Sequence, residues 1–165
     1  MIKKKVILSI TLLGIAVLLS NVSANTAMNL FTMTSINENI EGIYNGSLTR
    51  VYMNGEKKPV PNIGTEVTAN ADGTINLYIA PFKIGKMPGK ISIDAKNISV
   101  DSNGSFNMTV SKTVILTLPI FTPALFNAQI SGTISGNRLT YSVATIDASY
   151  LLVPFTAIVE FTGKK

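Results

Sequence analysis

The sequence predicts an all-β protein whose strands close into a single antiparallel up-and-down barrel of about eight strands. Three observations predict this fold. Apolar and polar residues alternate with period two after Gly42, turn dipeptides recur roughly every ten residues, and the intervals between the runs leave no room for crossover helices. Closing the sheet also removes its edges, which otherwise promote aggregation.

The alternation defines the strands in order along the chain. Ile75, Leu77 and Ile79, for example, share one face of a strand, and the polar residues between them share the other face. Each such strand is expected to bury one face and expose the other. Strands are predicted near residues 42–53, 64–69, 74–80, 90–100, 105–112, 114–118, 128–135 and 138–145, with 152–162 as a candidate ninth.

Turn and bulge signals separate these strands. In the run from residue 90 to residue 100, the apolar residues are first at odd positions, Ile91 and Ile93, and then at even positions, Ile98 and Val100. This change of face predicts a bulge near Lys96-Asn97. Segments 59–61 and 118–123 are predicted to be loops, because proline cannot donate to a β-ladder. Four dipeptides tolerate the positive φ that tight hairpins need: Asn54-Gly55, Asp72-Gly73, Asn103-Gly104 and Gly136-Asn137.

The N-terminus has the pattern of a secretory signal peptide. Three lysines at positions 3–5 precede an apolar run from Val6 to Leu19, and the sequence Val22-Ser23-Ala24 matches a cleavage site. The alternative is an uncleaved anchor, but the apolar run is shorter than the roughly 20 residues that span a bilayer. We expect a signal peptide at 1–24, a lead-in segment at 25–41 and a barrel domain at 42–165.

The composition limits both location and chemistry. The chain has no cysteine and no histidine, which excludes Cys/His zinc sites, a cysteine nucleophile, a Ser-His-Asp triad and lipid attachment at a cysteine. Removal of the leader lowers the net charge from +5 to +2, so clustered contacts to nucleic acid are not expected. We predict a protein without enzymatic activity, cofactor or metal, exported to the periplasm or cell surface, with no membrane span in the mature chain.

Several segments resemble the calycin-like β-barrel proteins exported by Bacteroides and its relatives. The resemblance extends over residues 42–163 and implies a lipocalin-like barrel in a family without an established activity. Lys90 departs from the pattern, because many relatives carry an aspartate there. The matching segments are Gly42–Thr49, Asn54-Gly55, Asp72–Leu77, Ala80–Phe82, Gly89–Ile93, Ile130–Thr140 and Val159–Gly163.

A barrel of about eight strands either is filled by its own side chains or holds one small ligand. Inward-facing aromatic residues would favour an apolar ligand, with one hydrogen bond to a tyrosine hydroxyl. The alternative is that they simply pack the core. The candidate lining residues are Phe82, Phe106, Met108, Tyr141, Phe155 and Phe161.

The segment 115–126 is unusually apolar for a stretch with two prolines. It is a candidate lid over one barrel mouth or an exposed patch for a protein or lipid partner, and the alternative is a plug that seals the barrel. Its candidate contact residues are Leu118, Ile120, Phe121 and Phe126. Lysines at positions 57, 58, 83, 86 and 90 are interpreted as solvated charge in preference to a lipid-headgroup patch.

Two functions remain open from the sequence. The first is an exported, non-catalytic binding protein for a small hydrophobic ligand. The second is a structural or protein-interaction barrel of the cell envelope, with a filled core and no small-molecule ligand. A barrel that spans the outer membrane is disfavoured, because the outward strand positions are mostly Ser, Thr and Asn where such a barrel needs an apolar band.

Overall fold

A computed structural model describes residues 40–165, so the predicted leader and the lead-in residues 25–39 lie outside the described residues. The strands are β1 (Gly42–Met53), β2 (Glu56–Lys57), β3 (Val60–Ala69), β4 (Thr74–Phe82), β5 (Lys90–Ser99), β6 (Ser105–Thr117), β7 (Ala124–Ser135), β8 (Arg138–Thr145), β9 (Ser149–Tyr150), β10 (Val153–Pro154) and β11 (Ala157–Lys164).

Eight of these strands form a closed antiparallel barrel. Their order around the barrel is β1-β3-β4-β5-β6-β7-β8-β11, and β11 pairs with β1 to complete the circle. Strand β2 extends the hairpin that follows β1, and β9 and β10 form a separate two-stranded hairpin. The predicted all-β up-and-down barrel is therefore confirmed.

The predicted bulge at Lys96-Asn97 is also confirmed. Asn97 has a φ of +55°, and the pairing of β4 with β5 shifts register between Ile75 and Leu77. The amide oxygen of Asn76 accepts a hydrogen bond from the Asn97 backbone N–H at 3.0 Å, which satisfies a donor that the bulge removes from the ladder.

Two predictions of strand and loop bounds were wrong. Strand β3 begins at Val60 and includes Pro61, which lies beside a register shift in β1 and next to Asn62 at φ +56°. Proline cannot donate to a ladder, and within sheets it is found at edges and at such irregularities. The predicted strands 105–112 and 114–118 are a single strand, β6, which bulges at Lys112 with φ +55°.

The candidate strand 152–162 is divided in the structure. Only Ala157–Lys164 joins the barrel, whereas Val153 and Pro154 pair with Tyr150 and Ser149 in the β9–β10 hairpin. The alternation of apolar residues continues across this break, so the pattern alone did not locate it.

The up-and-down order separates the connections into two groups. Short connections at 70–73, 100–104 and 136–137 lie at one end of the barrel, here called the turn end. Longer connections at 54–59, 83–89, 118–123 and 146–156 lie at the other end, here called the loop end. Loops on a rigid barrel are free to vary, so the loop end is the natural place to look for function.

Candidate functional site

The interior of the barrel is packed with side chains from all eight strands. Phe82, Phe106, Tyr141 and Phe161 are buried in the core, as the alternation predicted, and Met108 is half-buried against it. Phe155 is the exception among the predicted lining residues, because it lies in the connection between β8 and β11 and not on a barrel strand.

A polar contact crosses this interior. The hydroxyls of Thr65 on β3 and Tyr141 on β8 are hydrogen bonded at 2.9 Å, and both residues are buried, at 0% and 4% exposure. Strands β3 and β8 are not neighbours in the sheet, so the bond links two sides of the barrel. Burial raises the pKa of the Tyr141 phenol, because the charged form would lose its hydration.

Glycine makes room for the aromatic residues in this layer. A Cβ on Gly132 would lie 2.5 Å from Tyr141 Cβ and 2.7 Å from Phe106 Cζ, closer than side chains can approach. The Tyr141 and Phe161 rings stack with centroids 5.1 Å apart. Tyr141, which could have contacted a ligand, thus already contacts Thr65 through its hydroxyl and Phe161 through its ring.

The enclosed cavity found among the described residues is small. It lies nearer the loop end, is lined by apolar side chains including Met53, Ile93, Val114 and Val159, and has a volume of about 10 Å³. Ligand pockets commonly measure about 300–1,000 Å³, whereas about 10–15 Å³ holds a single water molecule. This cavity has no room for a lipid-sized ligand.

The structure divides the predicted lid residues. Ile120 and Phe121 lie in the 118–123 loop at 85% and 52% exposure, and Leu118 is half-buried against the core. Phe126 is not in the loop: it lies in β7, is buried, and stacks on Phe155 with centroids 4.8 Å apart. Its assignment to the lid or partner patch is corrected on this ground, because its strand position turns it toward the core.

A second apolar loop was not predicted from the sequence. Leu151 and Leu152 form the two-residue tip of the β9–β10 hairpin, between the paired residues Tyr150 and Val153, and are 70% and 99% exposed. Both leucines have positive φ, +50° and +66°, which is the property of a type I′ turn. Such turns favour Asn-Gly, and a residue with a Cβ loses about 1–2 kcal/mol in this region.

This hairpin is attached to its neighbours at several points. The Asn54 amide nitrogen donates to the Pro154 carbonyl at 3.0 Å, and its amide oxygen accepts from the Thr156 backbone N–H at 2.7 Å. The Phe155 ring stacks on Phe126, directly beyond the 118–123 loop. The connection that carries the hairpin is therefore attached to the turn after β1 through Asn54 and to β7 through Phe155, next to the 118–123 loop.

The loop end is also rich in lysine. Glu56 pairs with Arg50 at 3.0 Å, and Arg50 also contacts Glu160 at 3.4 Å, so one guanidinium is shared by two carboxylates. Asp147 is the other carboxylate of the loop-end connections. The lysines are all exposed and, among residues 40–165, have no ion-pair partner; they are Lys57, Lys58, Lys83, Lys86 and Lys90.

The outer wall of β7, β8 and β11 carries a third feature, a shallow open depression of about 480 Å³. Outward hydroxyls line it, including those of Thr49, Ser131, Thr140 and Thr162. Thr133 and Thr140 are already hydrogen bonded to each other at 3.0 Å, so part of this polar surface is satisfied within the protein. No exposed aromatic residue forms a stacking platform among the residues that line this depression.

The described residues contain neither a metal-ligand cluster nor a membrane-spanning helix. Within 40–165, no group of three or more His, Cys, Asp or Glu side chains is arranged to hold a metal ion. No helix in that part of the chain is long and apolar enough to cross a bilayer.

A family model described as a calycin-like β-barrel domain matches residues 40–164, which is nearly the whole described barrel. No curated protein and no solved structure matches the chain.

Proposed function

The chain belongs to the calycin-like β-barrel domain family, and we propose that it is a non-catalytic binding protein whose packed barrel is a scaffold and whose loop end contacts the partner. The proposal assigns binding to the outer surface and not to the interior. We also propose that the protein acts in the cell envelope, as its predicted leader implies.

One observation carries this proposal: the interior is filled. The enclosed cavity measures about 10 Å³, and the inner polar groups of Thr65 and Tyr141 satisfy each other. A lipocalin-like ligand would have to displace core side chains and break this bond, which leaves two buried hydroxyls unpaired. A filled core gives no such ligand a favourable route into the barrel.

The loop end supports the second half of the proposal. Isolated apolar residues on a surface need no explanation, but several at the tips of adjacent loops are typical of contact surfaces. The tips of the 118–123 loop and of the β9–β10 hairpin carry such residues, and the contacts of Asn54 and Phe155 fix the connection that carries the hairpin.

Native mass spectrometry of protein purified from the envelope of its own host tests the filled interior. We expect the native mass to equal the denatured mass, and we expect a fluorescent fatty-acid probe to show no saturable binding. A small hydrophobic molecule retained in the native state and lost on denaturation would refute the proposal and favour the competing function of ligand carrier.

The matched variant is Phe161→Ala, which removes a buried ring from the core. If the filled core excludes apolar molecules, this variant should bind a benzene-sized probe while the wild type does not, because a truncated core aromatic leaves a cavity that admits molecules of that size. Equal probe binding by both proteins would place the probe on the outer surface, and would contradict the interior as its site.

A further inference from the structure

Exposed apolar residues are concentrated at the loop end. Of the eight large apolar side chains that remain exposed within residues 40–165, six lie in the 118–123 loop, at the adjoining start of β7, or in the β9–β10 hairpin. These six are Ile120, Phe121, Leu125, Leu151, Leu152 and Val153. The other two, Ile43 and Tyr78, lie elsewhere on the barrel.

The Leu151-Leu152 tip is unfavourable for folding by two criteria. Both side chains are exposed, so they add little to the core, and both backbones have positive φ where Asn-Gly would be relaxed. A strained conformation at an exposed tip points toward function, since the fold alone gains nothing from leucine there.

Charge is distributed unevenly between the two ends of the barrel. The turn end carries three cations and three carboxylates: Arg138, Lys164 and Lys165 against Glu41, Asp72 and Asp101. The loop end has five exposed lysines on connections 54–59 and 83–89 and at the start of β5, against two carboxylates, one of which pairs with Arg50. The end that exposes apolar tips is therefore also the positive end.

We propose that the loop end docks on an anionic phospholipid surface. The tips of the 118–123 loop and the β9–β10 hairpin enter the boundary between headgroups and acyl chains, and the lysines of the other two connections contact the phosphates. Apolar insertion and attraction of lysine to anionic lipid act together in such peripheral binding. This inference rests on the proposed function, whose loop end is the contact surface.

The observations favour a lipid surface over a protein partner. The apolar residues lie at and beside the tips of two separate loops, and the cavity at this end, of about 10 Å³, is too small to receive a protein side chain. A protein interface needs about 800 Å² of complementary surface on each side, whereas a bilayer accepts projecting tips without matching their shape. The lysines add complementarity to the anionic headgroups that such a surface presents.

Co-sedimentation with vesicles tests the proposal. Protein from the host envelope is mixed with vesicles of phosphatidylcholine alone or of phosphatidylcholine and phosphatidylglycerol in equal parts. An uncleaved leader would itself bind lipid, so intact mass identifies the processed form before use. We expect binding to the anionic vesicles about tenfold or more tighter than to neutral ones, and weaker as salt rises.

The decisive variant is Leu151→Asn with Leu152→Gly, because it removes the apolar tip and supplies the residues that a type I′ turn prefers. It should remain folded while its partition to anionic vesicles falls about tenfold or more. Ile43→Asn is the matched control, since it removes a 57% exposed apolar residue near the turn end. That control should bind as the wild type does.

A second set tests the charges. Replacing four loop-end lysines with glutamine should abolish the preference for phosphatidylglycerol; the four are Lys57, Lys58, Lys83 and Lys86. Lys164→Gln, near the turn end, should not. Lack of binding by the wild type, or unchanged binding by the double leucine variant, would overturn the proposal. So would self-association in sedimentation velocity that the leucine variant abolishes, which would make a second copy the occupant. None of these results would refute the filled interior, which the mass spectrum tests separately.

Discussion

The hydrogen bond between Thr65 and Tyr141 offers a direct test of the packed interior. Tyr141→Phe removes one hydroxyl and leaves that of Thr65 buried without the partner it has in the structure. Leaving a buried polar group unpaired costs about 1–3 kcal/mol. Thr65→Val changes the volume little and leaves the Tyr141 hydroxyl without this partner, so we expect a loss of stability of the same size.

The double variant tests whether the two hydroxyls are coupled. When both hydroxyls are removed together, nothing polar is left unpaired, so Thr65→Val with Tyr141→Phe should be close to neutral. The two single losses should therefore exceed the double loss by about 2 kcal/mol or more. With a urea slope of about 1.5 kcal/mol per molar, each single variant should lower the unfolding midpoint by about 1 M.

Urea unfolding followed by circular dichroism measures all four proteins under the same conditions. Additive losses in the double variant would refute the reasoning, because they would mean that the two hydroxyls are not coupled. Single losses below about 0.5 kcal/mol would also contradict it, since they would indicate that water reaches these groups and that the interior is wet.

Three further predictions concern the same fold. Gly132→Ala should destabilise the barrel by about 1–3 kcal/mol or more in urea unfolding, because the added Cβ would lie 2.5 Å from Tyr141 Cβ, and unchanged stability would contradict the close packing. Asn54→Asp removes the donor to the Pro154 carbonyl, so limited proteolysis should cut residues 146–156 faster; an unchanged rate would mean that this contact does not restrain the loop. The raised pKa of Tyr141 means that the folded state keeps its proton after the unfolded state loses it, so stability should fall as pH rises above about 10, and Tyr141→Phe should make that fall shallower.

Most of the fold could be predicted from the sequence because its determinants are local. Period-two alternation assigns each strand an inward and an outward face, and positive-φ residues at Asn54, Gly73, Gly104 and Gly136 mark the turns. The switch of the apolar residues from odd to even positions predicted the bulge at Lys96-Asn97, because it too is a local pattern. Errors arose where two local rules conflicted, as at Pro61, where a register shift made the proline tolerable within a strand.

The candidate site was less predictable. The loop 118–123 was recognised by its apolar residues and prolines, but Phe126 was assigned to it because the start of β7 has the same composition. The Leu151-Leu152 tip carried no turn signal at all, since leucine is among the least expected residues at positive φ. The alternation on either side concealed the hairpin, because it continues into the strand Ala157–Lys164.

The sequence by itself determined the strand content, the turns, the direction of most side chains and the absence of Cys/His chemistry, since each depends on residue type and near neighbours. Only the tertiary structure decided that the barrel closes through β1 and β11, that its interior is filled, and that apolar tips and lysines share one end. These properties depend on residues far apart in the chain. Thr65 and Tyr141 are 76 positions apart, and no local pattern records that their hydroxyls meet.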